Sequence, residues 1–316
     1  MDNLTHSLVG WTLGQAGLKT KSRKGLAALI LGANMPDIDV FLGWVPWTPL
    51  ATHRGFTHSI VGGVMVMPPI LFALLWLLDR WQVARKVRFR RALPMRPWWL
   101  LVLCYIGAIS HPYLDLLTTY SVQLFSPFSA AWYHADALFI IDVWVWLLLG
   151  GAIFWSKLRE RTGEDWRRPP RIAIAILLPY IGLNLAISQR AEADVRRVSP
   201  RAQRIFASPP PALFWRRELV WRDGPCDRRA TYQPLGDGFA LEAGCTPPSL
   251  NDSYVQAAVQ RDPRLQRFMR WSILPEARVV RQRCVAKVTI GDGRYGGPGR
   301  SALARETLVP TGAPGC

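Results

Sequence analysis

The chain has 316 residues, 50% of them hydrophobic, with 15 Trp, 25 Pro and a formal net charge of +17. So apolar and so basic a composition excludes one ordinary soluble domain and calls for segregated regions. No nucleic-acid-binding motif accompanies the charge, so a nucleic-acid partner is not expected.

Two short apolar stretches open the chain, at about 4–18 and 25–35, with Lys19, Lys21, Arg23 and Lys24 between them. Neither reaches the ~20 residues that cross a bilayer comfortably, so they read as a helical hairpin with a basic turn. Four longer runs follow, at about 60–79, 98–117, 138–156 and 172–188. Each reads as a membrane span, and Pro68-Pro69 should kink the first. Residues 1–188 are therefore expected to form an all-α polytopic membrane helical bundle.

Short-loop Lys/Arg bias sets the orientation. The 80–97 loop carries Arg80, Arg85, Lys86, Arg88, Arg90, Arg91 and Arg96, and the 157–171 loop is also basic. Both are expected on the cytoplasmic side. The 36–59 and 118–137 segments carry few charges and are expected outside, as is everything beyond 188. Residues 189–212 read as a linker, 213–300 as a small α+β or β-rich soluble domain in the periplasm, and 301–316 as a disordered tail. Leu219–Trp221, Phe239–Leu241 and Ala286–Ile290 are strand-like, and 251–271 is helix-like. Cys226, Cys245, Cys284 and Cys316 allow two disulfides in an exported domain, with Cys316 the first candidate for a free thiol.

The chemistry-bearing residues crowd one face of this topology. All five histidines, His6, His53, His58, His111 and His134, fall at the outer ends of helices or in outer loops. Carboxylates join them: Asp37 and Asp39 in Pro-Asp-Ile-Asp, Asp115 four residues after His111, and Asp136 two after His134. An i, i+4 His/Asp pair projects from one helix face. It suits two ligands of one ion, or a ligand with its orienting carboxylate. Thr5-His6-Ser7-Leu8-Val9-Gly10 is echoed by Thr57-His58-Ser59-Ile60-Val61-Gly62, two helix starts at which each Thr reads as an N-cap. Ionisable residues in spanning segments cost about 2.5–3.5 kcal/mol each and are rarely idle.

Imidazole with carboxylate suits one or two divalent ions, zinc first, with manganese or iron as alternatives. The expected ligands are His6, Asp37, Asp39, His53, His58, His111 and Asp115. Asp39, His134 and Asp136 are candidates for general acid/base work, and Arg54 for contact with an anionic substrate group.

Thr-His-Ser near the N-terminus, Pro-Asp-Ile-Asp, His-Arg-Gly-Phe-Thr-His-Ser and His-Pro-Tyr-Leu-Asp together resemble the YdjM family of inner-membrane-associated proteins, over roughly residues 1–150. That resemblance implies a metal-dependent hydrolase with several helices in the inner membrane, and it carries the same His and Asp positions as site residues. His111 and Asp115 are also similar to a helix pair of zinc-dependent phospholipase C and P1-type nucleases. This chain departs from those in lacking a His-xxx-Glu partner motif. The second likeness implies phosphoester hydrolysis. The expected function is a membrane-bound metal-dependent hydrolase of a phosphoester or lipid-linked substrate, with membrane lipid as its partner. The alternatives are a metal-stabilised scaffold that binds an envelope partner, and a transporter. Ionisable groups crowded at one face disfavour the transporter.

Overall fold

The computed structural model describes residues 1–42, 53–89, 93–301 and 303–312. Arg90, Arg91 and Cys316, which entered the topology and disulfide expectations, lie outside the described residues, as does 43–52 of the expected 36–59 outer segment. The chain divides into two compact units, one formed by Met1–Leu42 with His53–Leu185 and the other by the residues from Ala186 onward.

The first unit is helical. Helix α1 spans Asn3–Gln15 and α2 spans Gly25–Asn34, joined through a 3₁₀ turn at Leu18–Thr20. A 3₁₀ run, Met35–Leu42, carries Asp37 and Asp39 away from the end of α2. Helix α3, Met67–Ala84, is preceded by a π-helical run, Ile60–Val66. Pro68 and Pro69 cannot donate the backbone bonds that α register would ask of them, and the helix changes register where they stand. Helix α4 is Pro97–Leu116, α5 is Val143–Thr162 and α6 is Arg168–Val198.

Among the described residues, three helical stretches are long and apolar enough to cross a membrane: Ile60–Ala84, Pro97–Leu116 and Arg168–Val198. The fourth expected span, 138–156, is placed differently. Asp142 caps α5 by accepting from the N–H groups of Trp144 and Val145, so residues 138–142 are not helical. The helix then runs on into Lys157, Arg159, Glu160 and Arg161, which shortens its apolar length. Outward faces of these helices carry large apolar side chains, such as Leu147 and Leu178 at 69% and 58% exposure. That is the pattern of helices whose solvent is lipid.

Two apolar clusters hold the first unit together. Leu29, Leu71, Leu75, Leu100 and Leu103 join α2, α3 and α4, and Leu114, Leu138, Val145, Leu149 and Leu177 join α4, α5 and α6. The hairpin of α1 and α2 packs through glycine. A Cβ at Gly10 or Gly107 would fall 2.6 or 2.7 Å from the carbonyl oxygen of Leu29, so α1 and α4 both approach the α2 backbone where only hydrogen fits.

The second unit carries two antiparallel sheets. The first is β1 (Gln203–Ser208), β2 (Arg217–Asp223), β3 (Cys226–Gln233) and β4 (Gly238–Leu241), in sequence order. Leu219 and Trp221 of β2 face one way, onto Ala191 and Val195 of α6, and Val220 faces the other, onto Phe206 and Leu274. This is the two-residue alternation of a strand buried on both sides. Helices α7 (Ser253–Arg261) and α8 (Pro263–Trp271) lead to the second sheet: β5 (Pro275–Arg281), β6 (Val285–Asp292) and β7 (Arg305–Pro310). The expected strands and the helical 251–271 stretch all appear. Residues 189–212, expected as a linker, hold the last turns of α6 and strand β1. The 301–316 stretch, expected as a tail, holds β7. Both strands are half polar, so neither stands out by apolar content, and each is held by pairing with a neighbour instead. Cys226 and Cys245 form a disulfide, and Cys284 is disulfide-bonded as well.

Candidate metal centre

Four chain segments converge at one end of the helical unit. His6 sits in the first turn of α1, Asp37 and Asp39 in the 3₁₀ run after α2, His53 and His58 ahead of the π-helical run, and His111 and Asp115 on the last turns of α4. His6, His58, His111 and Asp115 are 0% exposed and Asp37 is 4% exposed. Among the described residues, three overlapping donor groups result: His6, His111 and Asp115; Asp37, His58 and His111; and Asp39, His53 and His58.

Hydrogen bonds to the far ring nitrogens fix how the histidines point. Nδ1 of His111 lies 2.6 Å from the carbonyl oxygen of Ala33. A carbonyl only accepts, so Nδ1 carries a proton. Thr57 donates its one hydroxyl proton to Oδ2 of Asp39 at 2.7 Å, so at 3.0 Å it accepts from Nδ1 of His58. Nδ1 of His53 donates to Oδ1 of Asp39 at 3.0 Å. In each ring the proton sits on Nδ1, which leaves the Nε2 lone pair of the neutral ring as a ligand. Asp39 thereby uses both oxygens to orient imidazoles, the carboxylate–histidine arrangement that usually stands behind a metal ligand.

Those lone pairs face carboxylate oxygens. Nε2 of His58 lies 3.1 Å from Oδ1 of Asp37 and 3.4 Å from Oδ2 of Asp115. Nε2 of His111 lies 3.4 and 3.2 Å from the same two atoms. Among the described residues, Nε2 of His111 and Oδ2 of Asp115 have no hydrogen-bond partner although both are buried, and both ring nitrogens of His6 are in the same position. Acceptors facing acceptors in a buried place are the arrangement that a shared cation would satisfy. Two ligands held about 2.1 Å from one ion stand roughly 3.0 Å apart at a right angle and 3.4 Å at the tetrahedral angle. The four measured separations match that spacing, so the residues present fit a divalent ion.

Electrostatics agree for His58, which lies outside the spans. Burial lowers His58 to about 4, which keeps its ring neutral near pH 7. The rings of His6 and His111 stack at 3.8 Å.

The remaining expected residues stand apart. Arg54 is 1% exposed and is taken up internally: its Nη2 pairs with Oδ1 of Asp115 at 3.0 Å, its Nη1 donates to Thr118 at 2.7 Å, and its guanidinium lies 4.6 Å from the Tyr120 ring centre. So placed, it balances the carboxylate rather than reaching outward. The α-amino group of Met1 also pairs with Asp115. His134 and Asp136 bond each other at 3.0 Å and belong to none of the three donor groups. The two threonines of the repeated motif are not N-caps. Asp2 caps α1 and Ser59 caps the π-helical run, while Thr5 donates to Asp2 and Thr57 to Asp39. The Ala33 carbonyl and the Arg54–Asp115 pair escape sequence reasoning. A backbone acceptor has no residue signature, and Arg54 reads as a surface cation until the fold buries it.

Fold and site together define a helical membrane protein with a buried histidine–carboxylate cluster that could hold a metal ion. The chain belongs to the YdjM inner membrane protein family, which matches residues 1–191. That range holds every residue of the cluster and runs beyond residues 1–150, the stretch over which the sequence resemblance is expected. No curated protein and no solved structure matches the chain, so the weaker likeness to zinc-dependent phospholipase C and P1-type nucleases finds no support.

Proposed function

We propose that this protein is a metal-dependent hydrolase working at one face of the inner membrane on a phosphoester or lipid-linked substrate. The observation that carries the reading is the buried set of acceptors, Nε2 of His58 and His111 against Oδ1 of Asp37 and Oδ2 of Asp115, at 3.1–3.4 Å with no proton to share. His58, His111, Asp37 and Asp115 would hold the first ion. His6 on the inner side and His53 on the outer side offer positions for a second. A divalent ion, zinc first with manganese or iron next, supplies a Lewis acid for a phosphoryl or acyl oxygen and makes water nucleophilic near neutral pH.

The chain's own residues do the rest. Ala33, Thr57 and Asp39 hold the three imidazoles in one tautomer. Arg54 offsets the charge of Asp115, so two buried carboxylates can stay ionised together. The side chains of His53 and Asp39 are 20% and 9% exposed, which leaves that edge as the way in for substrate and water. Asp39, bonded to His53, is the carboxylate placed to take up a proton there, and His134 with Asp136 forms a second such pair in the 118–137 loop.

The membrane setting favours an amphiphilic substrate. We read the helical unit as a polytopic bundle, with the metal centre on the outer side and the β-rich unit in the periplasm. The Lys/Arg bias of the 80–97 and 157–171 loops and the Cys226–Cys245 disulfide support that orientation. A metal-stabilised scaffold is the second reading, favoured by the complete burial of His6, His111 and Asp115.

A hydrolysis screen of phosphodiesters, phosphomonoesters and phospholipids, run on the purified full chain beside Asp37→Asn, separates the two. The hydrolase reading expects turnover that zinc restores after chelation and that Asp37→Asn abolishes. Bound metal with no turnover on any class leaves the scaffold.

A further inference from the structure

We propose that the opposite end of the helical unit carries a binding pocket for a phosphate-bearing anion, which in a membrane is the headgroup of an anionic phospholipid. Helices α1 and α2 begin or end at the metal centre, and their other ends lie about 15–20 Å away at 1.5 Å per residue. There a cavity of about 640 Å³ opens, lined by Lys19, Arg23, Lys24, Lys157, Glu160 and Arg161. This volume is in the range of small-ligand sites.

Three independent features give it a preference for anions. The first is a charge excess. Among the described residues, five cations line the cavity, and the carboxylates that pair with them are Glu160, 2.8 Å from Lys19 and 3.8 Å from Lys157, and Asp79, 2.8 Å from Arg23. Lys24 bonds the neutral Gln82 instead. The second is an uncapped helix start. Lys24 stands at the N-cap of α2 in a left-handed conformation with no side-chain cap, and the first turn of α2 lines the cavity at Leu26 and Ala27. The N–H groups of such a turn are an anion site in waiting. The third is an apolar wall. Phe89 and Leu93 also line the cavity, so a charged head and a greasy neighbour are accommodated side by side. Basic pockets between membrane helices bind lipid headgroups on these terms. Lys19 and Arg23 are tied into close ion pairs that hold the helix ends together, while Lys157 reaches Glu160 only at 3.8 Å, so Lys24, Lys157 and Arg161 are the residues that confer the preference.

Native mass spectrometry of the full chain tests this, with phosphatidylglycerol or phosphatidylcholine offered at equal concentration. A second arm titrates inorganic phosphate and glycerol 1-phosphate by calorimetry. Wild type should retain phosphatidylglycerol over phosphatidylcholine. Lys24→Gln, Lys157→Gln and Arg161→Gln should each weaken retention about fivefold, with Lys24→Arg and Arg161→Lys restoring it and bound metal unchanged. Saturable binding of a soluble phosphate that the same substitutions remove also supports the pocket and assigns it to a free phosphate. Equal retention of both lipids by wild type together with no soluble phosphate binding overturns the proposal. So does phosphate or lipid binding that folded Gln variants keep in full. The wild-type lipid preference reads out even if a variant fails to fold.

Discussion

His111 donates its Nδ1 proton to the backbone carbonyl of Ala33 across 2.6 Å, joining the last turns of α4 to the end of α2. This bond aims Nε2 at Asp37 and Asp115 and exists only because the two helices come unusually close. Gly107, one turn before His111, lies against the Leu29 carbonyl, and Gly32 lies against that of Cys104.

Gly107→Val should therefore act on the metal centre without touching it. A Cβ at 107 would fall 2.7 Å from the Leu29 oxygen, so α4 must back away from α2. The His111–Ala33 bond lengthens as it does. Loss of an orienting partner of this kind lowers metal affinity about 10- to 100-fold. Competition with a chromogenic chelator measures it, and unchanged affinity in a folded variant would break the link between helix approach and ligand aim.

Arg54 should behave as a structural charge. Removing one partner of a buried ion pair costs about 3–5 kcal/mol, and Arg54 pairs with Asp115 where both side chains are almost fully buried. Arg54→Ala should lower the unfolding midpoint in detergent and loosen metal binding. A stable variant with normal metal content and weakened substrate binding alone would return Arg54 to the role of substrate anchor that the sequence suggests.

The disulfide and the orientation can be tested together. Cys226 and Cys245 are 19 residues apart, and closing a loop of that size stabilises a fold by about 3 kcal/mol in the chain-entropy view. Cys226→Ser should lower the stability of the second unit by roughly that amount. Alkaline phosphatase fused after Arg190 should be active, because the reporter folds only after export. An inactive fusion with an active cytoplasmic reporter at the same site would invert the topology.

Asp292 sets an acid limit for the second unit. Burial would raise its carboxyl, but the Arg294 guanidinium and donors from Arg294 and Ser272 more than offset this and hold it below the usual range. A carboxyl depressed in the folded state contributes stability that is complete above its unfolded value, about 3.9. That contribution is lost as pH falls from there through the folded value. Asp292→Asn should destabilise the β5–β6 region at pH 7 and flatten the decline in stability below about pH 4. Hydrogen exchange across β5 and β6 reads this directly. A variant whose acid profile matches wild type would remove Asp292 as the cause.

Much of the site is legible because its residue types are expensive where they stand. His111 and Asp115 at i, i+4 within an apolar helix, and Pro-Asp-Ile-Asp beside two histidine-bearing helix starts, stand out as candidate ligands before any fold is known. Less legible is which carboxylate binds and which orients. Asp37 and Asp39 look alike in sequence, and only the Thr57 hydroxyl and the His53 ring mark Asp39 as the orienting one. The helix starts are readable in place but not in detail, because a Thr two or three residues from a better cap loses the position to Asp2 or Ser59. Strands β1 and β7 are obscure for another reason: pairing with β2 and β6, rather than apolar content, holds them in their sheets.

Metal content tests the central claim most directly. The full chain, purified without chelator and supplied with zinc, manganese and iron in turn, should hold at least one divalent ion per chain. X-ray absorption should show nitrogen and oxygen neighbours at about 2.0–2.2 Å. His111→Ala and Asp115→Asn should lose that ion while keeping wild-type helicity. A metal-free wild type under replete conditions, or folded variants with undiminished metal, would contradict the account.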